Sequence, residues 1–394
     1  MLLGGVILNS KEEIIEKIES IDWEFTDSNT QYLSHNIHRY SGKFIPQIAK
    51  SVIELFTEEG DTVFDPYLGS GTTALEAILA KRKSVGVDLN PLAILISKVK
   101  TTVIPREKLE TFRQELTESI NSVCGGQLSL FSCKYSPSIN KPEDSARYYD
   151  EWNKKWYQDH ILRQLIMIYS VIESVDDIEL RQIAQIAFSD ILRKSSNASS
   201  RYPNVMYDKN HKEKPLPMKS FIDSFVDLID KLINTSNEIG NFNISNKVEL
   251  CNNTHLPYMN NCMDAVITHP PYVAAVPYAE YGCLSLEWLG YNSKELDAEI
   301  TGGKRHRKDV AIRFEQDYNL MMKEAFRVLK DGRYAFFMVG NPTANGKVVD
   351  LHEMTIRIAK ESGFEYIYTA TRKGSNRRGN NMGIEYLEFF RKPL

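Results

Sequence analysis

The stretch Val63-Phe64-Asp65-Pro66-Tyr67-Leu68-Gly69-Ser70-Gly71-Thr72-Thr73-Ala74 limits what this chain can fold into more than any other. Val63 and Phe64 read as a short buried strand and the glycines as a tight turn. Leu75, Ile78 and Leu79 fall on one face of the helix that follows. A second strand, Ser84-Val85-Gly86-Val87, ends on Asp88. This order predicts a β-α-β unit in which the backbone comes close to a ligand at the glycines. A carboxylate at the tip of the second strand accepts hydrogen bonds from ribose hydroxyls. The unit therefore predicts an adenosine-containing cofactor.

A chain of 394 residues has room for an α/β core of two hundred-odd residues plus an inserted subdomain. Its net charge of −4 gives no global nucleic-acid signature, so any basic surface must be local. Cys124, Cys133, Cys251, Cys262 and Cys283 form no C-x-x-C pair and have no metal-ligand spacing. They point to reduced thiols in a cytoplasmic protein with no metal site. The apolar start lacks a basic region, so no signal peptide is expected, and no apolar run reaches membrane-spanning length.

Along the chain, a short charged helix over 11–21 precedes the polar and aromatic segment 35–46, which reads as a functional loop. Pro46 opens a helix through Ile48, Val52, Ile53 and Phe56. After Asp88, Asn90-Pro91 starts another. From 105 to 245 the pattern is helical rather than alternating, with clear helices over 177–194 and 221–233. Strands return at 247–251 and 263–268. A helix over 314–329, closed by Lys330-Asp331-Gly332, a strand at 334–339, a helix over 348–362 and closing strands at 364–370 and 385–390 follow. The division predicted is 1–104 and 246–394 as two parts of one catalytic domain, with 105–245 as a mainly helical insertion for target recognition. The fold class is α/β, Rossmann-like, with a mostly parallel sheet and an antiparallel closing strand.

Asp65, just before the turn, would repel a pyrophosphate. It suits the ammonium and sulfonium of S-adenosylmethionine, although a turn acid bonded to its own loop would look the same. No Lys-Ser/Thr pair follows the glycines, which excludes a phosphate-binding P-loop. Far downstream, the strand ending at Thr268 runs into His269-Pro270-Pro271-Tyr272. Prolines lack an N–H and leave carbonyls free to point outward. An acceptor carbonyl beside an aromatic face is what methylation of an exocyclic amino group requires. Acceptors on both N–H groups stabilise the positive charge that builds on nitrogen, and the ring stacks on a base flipped from the duplex.

Together, Asp65-Pro66-Tyr67-Leu68-Gly69-Ser70-Gly71-Thr72-Thr73 and Thr268-His269-Pro270-Pro271-Tyr272 resemble the amino-methylating DNA methyltransferases, cytosine-N4 or adenine-N6 specific. The upstream His38-x-Tyr40-x-x-Lys43-Phe44-x-Pro46 is similar to their cofactor-side motif. The resemblance extends over about 35–100 and 245–392. It implies S-adenosylmethionine held by Asp65, Pro66, Gly69, Ser70, Gly71, Thr72 and Asp88, with Tyr40, Lys43 and Phe44 closing the pocket and Asn252 near the adenine. It implies catalysis by His269, Pro270, Pro271 and Tyr272. The family tetrapeptide normally begins with Asp, Asn or Ser; here a histidine stands, which accepts a hydrogen bond only when neutral. The Lys-Phe-x-Pro loop favours cytosine-N4 over adenine-N6. The implied partners are double-stranded DNA and a cognate restriction endonuclease. Alternatives are an RNA base amino-methyltransferase and a catalytically silent DNA-recognition protein. Three basic segments are candidate phosphate tracks: 193–214, 304–308 (Lys304, Arg305, Arg307, Lys308) and 372–378 (Arg372, Arg377, Arg378), with 304–308 the first choice.

Overall fold

The computed structural model describes residues 10–43, 45–125, 133–136, 148–202, 204–240, 245–273, 277–301, 309–344, 347–373 and 383–394. Seven strands form one sheet in the order β3-β2-β1-β4-β5-β9-β8. They are β1 (Thr62–Asp65), β2 (Lys83–Asp88), β3 (Asn246–Leu250), β4 (Met263–Thr268), β5 (Leu329–Gly340), β8 (Glu365–Lys373) and β9 (Ile384–Arg391). Two-residue strands β6 (Thr343–Ala344) and β7 (Lys347–Val348) make a separate small ribbon. All pairings from β3 to β5 are parallel, and β9 is antiparallel to both its neighbours. The sheet is therefore the Rossmann-like, mostly parallel one with an antiparallel closing strand that the sequence implies. All six residues of β4 are buried, as a central parallel strand covered on both faces must be.

Helices α1 (Lys11–Glu19) and α2 (Pro46–Phe56) cover one face of the sheet through Ile14, Ile18, Val52 and Phe56. On the other face lie α13 (Val310–Val328) and α14 (Leu351–Ser362), through Phe314, Tyr318, Met321 and Ile358. Helix α3 (Thr72–Leu79) links β1 to β2, and α4 (Pro91–Thr101) follows β2. The segment between α4 and β3 is helical: α5 (Arg106–Cys124), α6 (Glu151–Trp156), α7 (Asp159–Glu173), α8 (Ile178–Ser195) and α9 (Pro217–Ile239). It does not pack as a detached lobe. Leu92, Ile96 and Val99 of α4 share one apolar cluster with Phe112, Phe188 and Phe225 of these helices. Trp288 joins it from α11 (Cys283–Trp288), which follows α10 (Tyr278–Tyr281) and precedes α12 (Ser293–Glu299).

Several element boundaries differ from the sequence reading, and two of them change the role of a residue. Lys330-Asp331-Gly332 does not merely close a helix, because β5 begins at Leu329, which pairs with Met263. Helix α14 starts at Leu351 rather than 348. Val348 is taken by the small ribbon, and the Asp350 side chain caps the helix by accepting from the Glu353 N–H.

The order of strands places the site. The chain runs β1, β2, β3 outward in one direction and then returns to place β4 on the other side of β1. Ligands of open α/β sheets bind at such a reversal, outside the carboxyl ends of the strands. Asp65, Asp88 and Thr268 are the last residues of three adjacent strands there.

Candidate active site

The turn after β1 depends on two glycines. Gly69 and Gly71 have φ of 50° and 76°, a left-handed conformation that costs a glycine little. A Cβ on Gly71 would also stand 2.8 Å from Ser97 Oγ, and that hydroxyl donates to the Gly69 carbonyl at 2.8 Å. Helix α4 thus braces the turn from behind. Asp88 holds it from the front: Oδ2 accepts from the Gly69 N–H at 2.9 Å and Oδ1 from the Asn90 N–H at 2.8 Å.

Asp65 is buried at 2% exposure, and its Oδ1 accepts from the Tyr67 N–H at 3.0 Å and from Thr268 Oγ1 at 2.6 Å. The second bond joins the end of β1 to the end of β4, so the glycine turn and the His-Pro-Pro-Tyr segment are fixed relative to each other. Burial pushes both Asp65 and Asp88 up to about 6. Hydrogen bonds to each carboxylate oppose the shift, and the Asp88 charge adds to it at Asp65. Two acidic groups held in a poorly solvated site favour a cationic ligand and disfavour a phosphate. These residues fit the amino-acid end and ribose of S-adenosylmethionine.

His269 follows Thr268. Burial, assisted by the positive charge of Arg372, lowers its imidazole to about 4, with the Gly42 backbone working against the shift. The ring is neutral at neutral pH and carries an acceptor nitrogen. Nε2 stands 2.9 Å from the Tyr272 hydroxyl, which lies 3.3 Å from Glu385 Oε1; Glu385 in turn pairs with Arg372 at 2.8 Å. Pro270 and Pro271 are buried. Tyr272 differs from the sequence expectation of an open stacking face. It is 4% exposed, edge-on to His269, and packed so closely on β5 that a Cβ at Gly340 would lie 3.1 Å from its ring. In this structure Tyr272 supports His269.

The glycine turn and the His-Pro-Pro-Tyr segment open on one cleft with an empty volume of about 560 Å³. Gly69, Asp88 and Asn90 line it on one side, and His269, Pro271 and Tyr278 on the other. Tyr40 and Tyr67 add aromatic walls, with Tyr40 stacked on Tyr278 at 6.1 Å between ring centres. Pro66 also lines the cleft, while Ser70 and Thr72 are buried behind the turn. Lys43 points away from it, donating to the His35 carbonyl at 3.0 Å. Asn252 is exposed and bonds its own turn at Thr254. Its neighbour Asn253 is the residue at the cleft, its amide donating to the Pro66 carbonyl at 2.9 Å. The loop after β3 is one residue out of phase with the sequence assignment.

Arg372 is corrected as well. It lies in β8 at 8% exposure, pairs with Glu385 and donates to the Trp23 carbonyl at 3.1 Å, so it offers no charge to a phosphate. Phe44, Lys304, Arg305, Arg307, Lys308, Arg377 and Arg378 lie outside the described residues. Sequence reasoning missed Tyr67, Asn90 and Tyr278 as cleft walls. It also missed a buried polar cluster behind the turn. There Glu76 Oε1 lies 2.6 Å from both Tyr32 Oη and His35 Nε2, and Lys100, 1% exposed, reaches Ser70 Oγ at 3.4 Å. One signal was available: Glu76 and Lys100 are the charged residues that interrupt the otherwise apolar faces of α3 and α4.

The reversed sheet order, the braced glycine turn and the paired carboxylates define an S-adenosylmethionine-dependent methyltransferase. The family model for DNA methylases acting at N6 and N4 matches residues 9–99. Type II methyltransferase M.MvaI of Kocuria varians is 24% identical over 408 residues, spanning 90% of this chain and 87% of that protein. Type II methyltransferase M.MjaII of Methanocaldococcus jannaschii is 21% identical over 85% of this chain and 78% of its own length. Type II methyltransferase M.BsoBI of Geobacillus stearothermophilus is 25% identical over 72% and 58%. The chain is thus similar to the amino-group DNA methyltransferases over most of its length, and its cofactor is S-adenosylmethionine.

Proposed function

We propose that this protein methylates an exocyclic amino group of a base in double-stranded DNA, at cytosine N4 in preference to adenine N6. The observation that carries the reading is the 2.6 Å bond from Thr268 to Asp65, which makes the cofactor turn and the amino-acceptor loop walls of one cleft. S-adenosylmethionine supplies an electrophilic methyl group. Asp65 and the Gly69–Gly71 turn hold its amino-acid end, and Asp88 holds the ribose. The Pro270 carbonyl and the neutral His269 imidazole accept the two N–H bonds of the target amino group. They favour a pyramidal nitrogen and stabilise the charge that develops on it. Tyr40, Tyr67 and Tyr278, rather than Tyr272, offer rings to the extruded base. Fixing donor and nitrogen in line supplies much of the rate.

The preference for cytosine rests on the motif resemblance around Lys43. The relatives' description as Type II methyltransferases supports a cognate restriction endonuclease as partner. Incubation with cofactor labelled in its methyl group, against duplex DNA and against RNA, tests the substrate class. Label in DNA that disappears with Asp65→Ala supports the reading, and label in RNA alone overturns it.

A further inference from the structure

Between α8 and α9 the chain forms a tightly tied loop that the chemistry above does not use. The Ser199 N–H donates to the Met206 carbonyl at 2.7 Å, the Asp208 N–H donates to the Asn197 carbonyl at 2.9 Å, and Ala198 and Tyr207 form an antiparallel bridge between these two bonds. Its base is fixed by the Asn197 N–H, which donates to the Trp156 carbonyl at 2.7 Å. From inside, Arg193 of α8 donates to the carbonyls of Ser199 at 3.2 Å, Tyr202 at 2.5 Å and Asn204 at 3.1 Å. Arg193 is thus spent on shaping the loop.

So firmly held a loop would be expected to bury its large apolar side chains, yet it exposes them. Tyr202 is 52% exposed, Met206 44% and Tyr207 40%. Exposed Arg201, Lys209 and Lys212 flank them, with Asp208 and Glu213 as the acids of the segment. A compact apolar and aromatic edge within a cationic border marks a nucleic-acid contact: cations hold phosphates and rings meet bases.

Its position fits the site. Val205 of the loop lines a second pocket together with Arg39, Asp190, Tyr40 and Tyr278. The last two also wall the cofactor cleft. Asn204 reaches Glu280 of α10 at 3.5 Å, beside Tyr278. The loop therefore stands one layer of side chains from where the target base is processed.

We propose that the loop Asn197–Asp208 engages the DNA duplex, with Tyr202 and Met206 entering the base stack beside the extruded nucleotide and Arg201 and Lys209 on the flanking phosphates. Extruding a base opens a gap in the stack, and an apolar wedge from a pre-shaped loop restores contacts there. The arrangement rests on the DNA reading above and assigns 193–214 as an element next to the target.

The test uses the full-length protein and a mixed-sequence duplex carrying bromodeoxyuridine, cross-linked by ultraviolet light and mapped by peptide mass spectrometry. Thiouridine-substituted RNA forms a parallel arm. Cross-links on Tyr202 or Tyr207 in DNA support the proposal. Cross-links confined to segments outside 193–214, or formed with RNA and not DNA, overturn it. Arg201→Ala with Lys209→Ala should flatten the logarithmic salt dependence of duplex binding by about 2. Tyr202→Ala with Met206→Ala should weaken duplex binding about tenfold while calorimetric affinity for the cofactor is unchanged. Wild-type duplex affinity and salt slope in both double variants would overturn the proposal. Cross-linking at the loop without any methylated DNA would instead overturn the methylation reading and leave the loop's contact with DNA standing.

Discussion

In the proposed site, Asp65 and Asp88 set the pH behaviour of cofactor binding. Both are pushed up to about 6 by burial, so in the cofactor-free protein each takes up a proton well above the ordinary carboxylate range. A folded value above the unfolded one means that the fold loses stability as pH rises from about 4 through 6, where these buried groups must ionise. A cationic ligand favours the ionised forms. Cofactor affinity should therefore rise through pH 6, and the thermal shift it produces should be larger at pH 7.5 than at pH 5. Asp65→Asn should weaken binding and remove part of that pH dependence, both read by calorimetric titration. His269, lowered to about 4, should add no acid limb near its ordinary value of about 6.5 to the pH–rate profile. His269→Ala should cost about a hundredfold in kcat with cofactor affinity retained, the scale of losing one charge-stabilising contact. Gly71→Ala must adopt φ near 76° and crowd Ser97, so it should destabilise the fold by about 1–3 kcal/mol in denaturant melts and weaken cofactor binding with it.

Strand ends explain what was readable in advance and what was not. Asp65 directly precedes Pro66, Thr268 stands two residues before Pro270 and Asp88 three before Pro91, so each strand end could be placed from local chemistry. The direct bond between Asp65 and Thr268 joins residues 203 positions apart, and no local pattern announces it. The choice between Asn252 and Asn253 depends on loop phase, which apolar periodicity does not fix. Arg372 looked like part of a basic run, but strand alternation turns it inward onto Glu385. That pair and Tyr272 connect β8 and β9 to the acceptor loop. Glu385→Gln should lower kcat without changing cofactor affinity, since Glu385 holds His269 through Tyr272 and through its pair with Arg372.

Across the whole molecule, the helical segment and the sheet domain share packing. Trp288 lies between them at 1% exposure, stacked on Tyr148 at 4.7 Å and edge-on to Phe188 of α8 at 5.0 Å. Trp288→Ala should cost about 3–5 kcal/mol, and thermal unfolding should remain a single transition because the described helices of the segment share one core with α4. A helical segment rigidly tied to the catalytic domain can hold a DNA-contacting loop at a set distance from the cofactor. In the proposed reading the glycine turn and the His-Pro-Pro-Tyr loop form one amino-methylating site. Mass spectrometry of nucleosides from the DNA of cells expressing the protein tests it most directly. N4-methylcytosine is expected with the wild type and none with Asp65→Ala. Unmodified DNA, or DNA methylated on a ring carbon rather than an amino group, would contradict it.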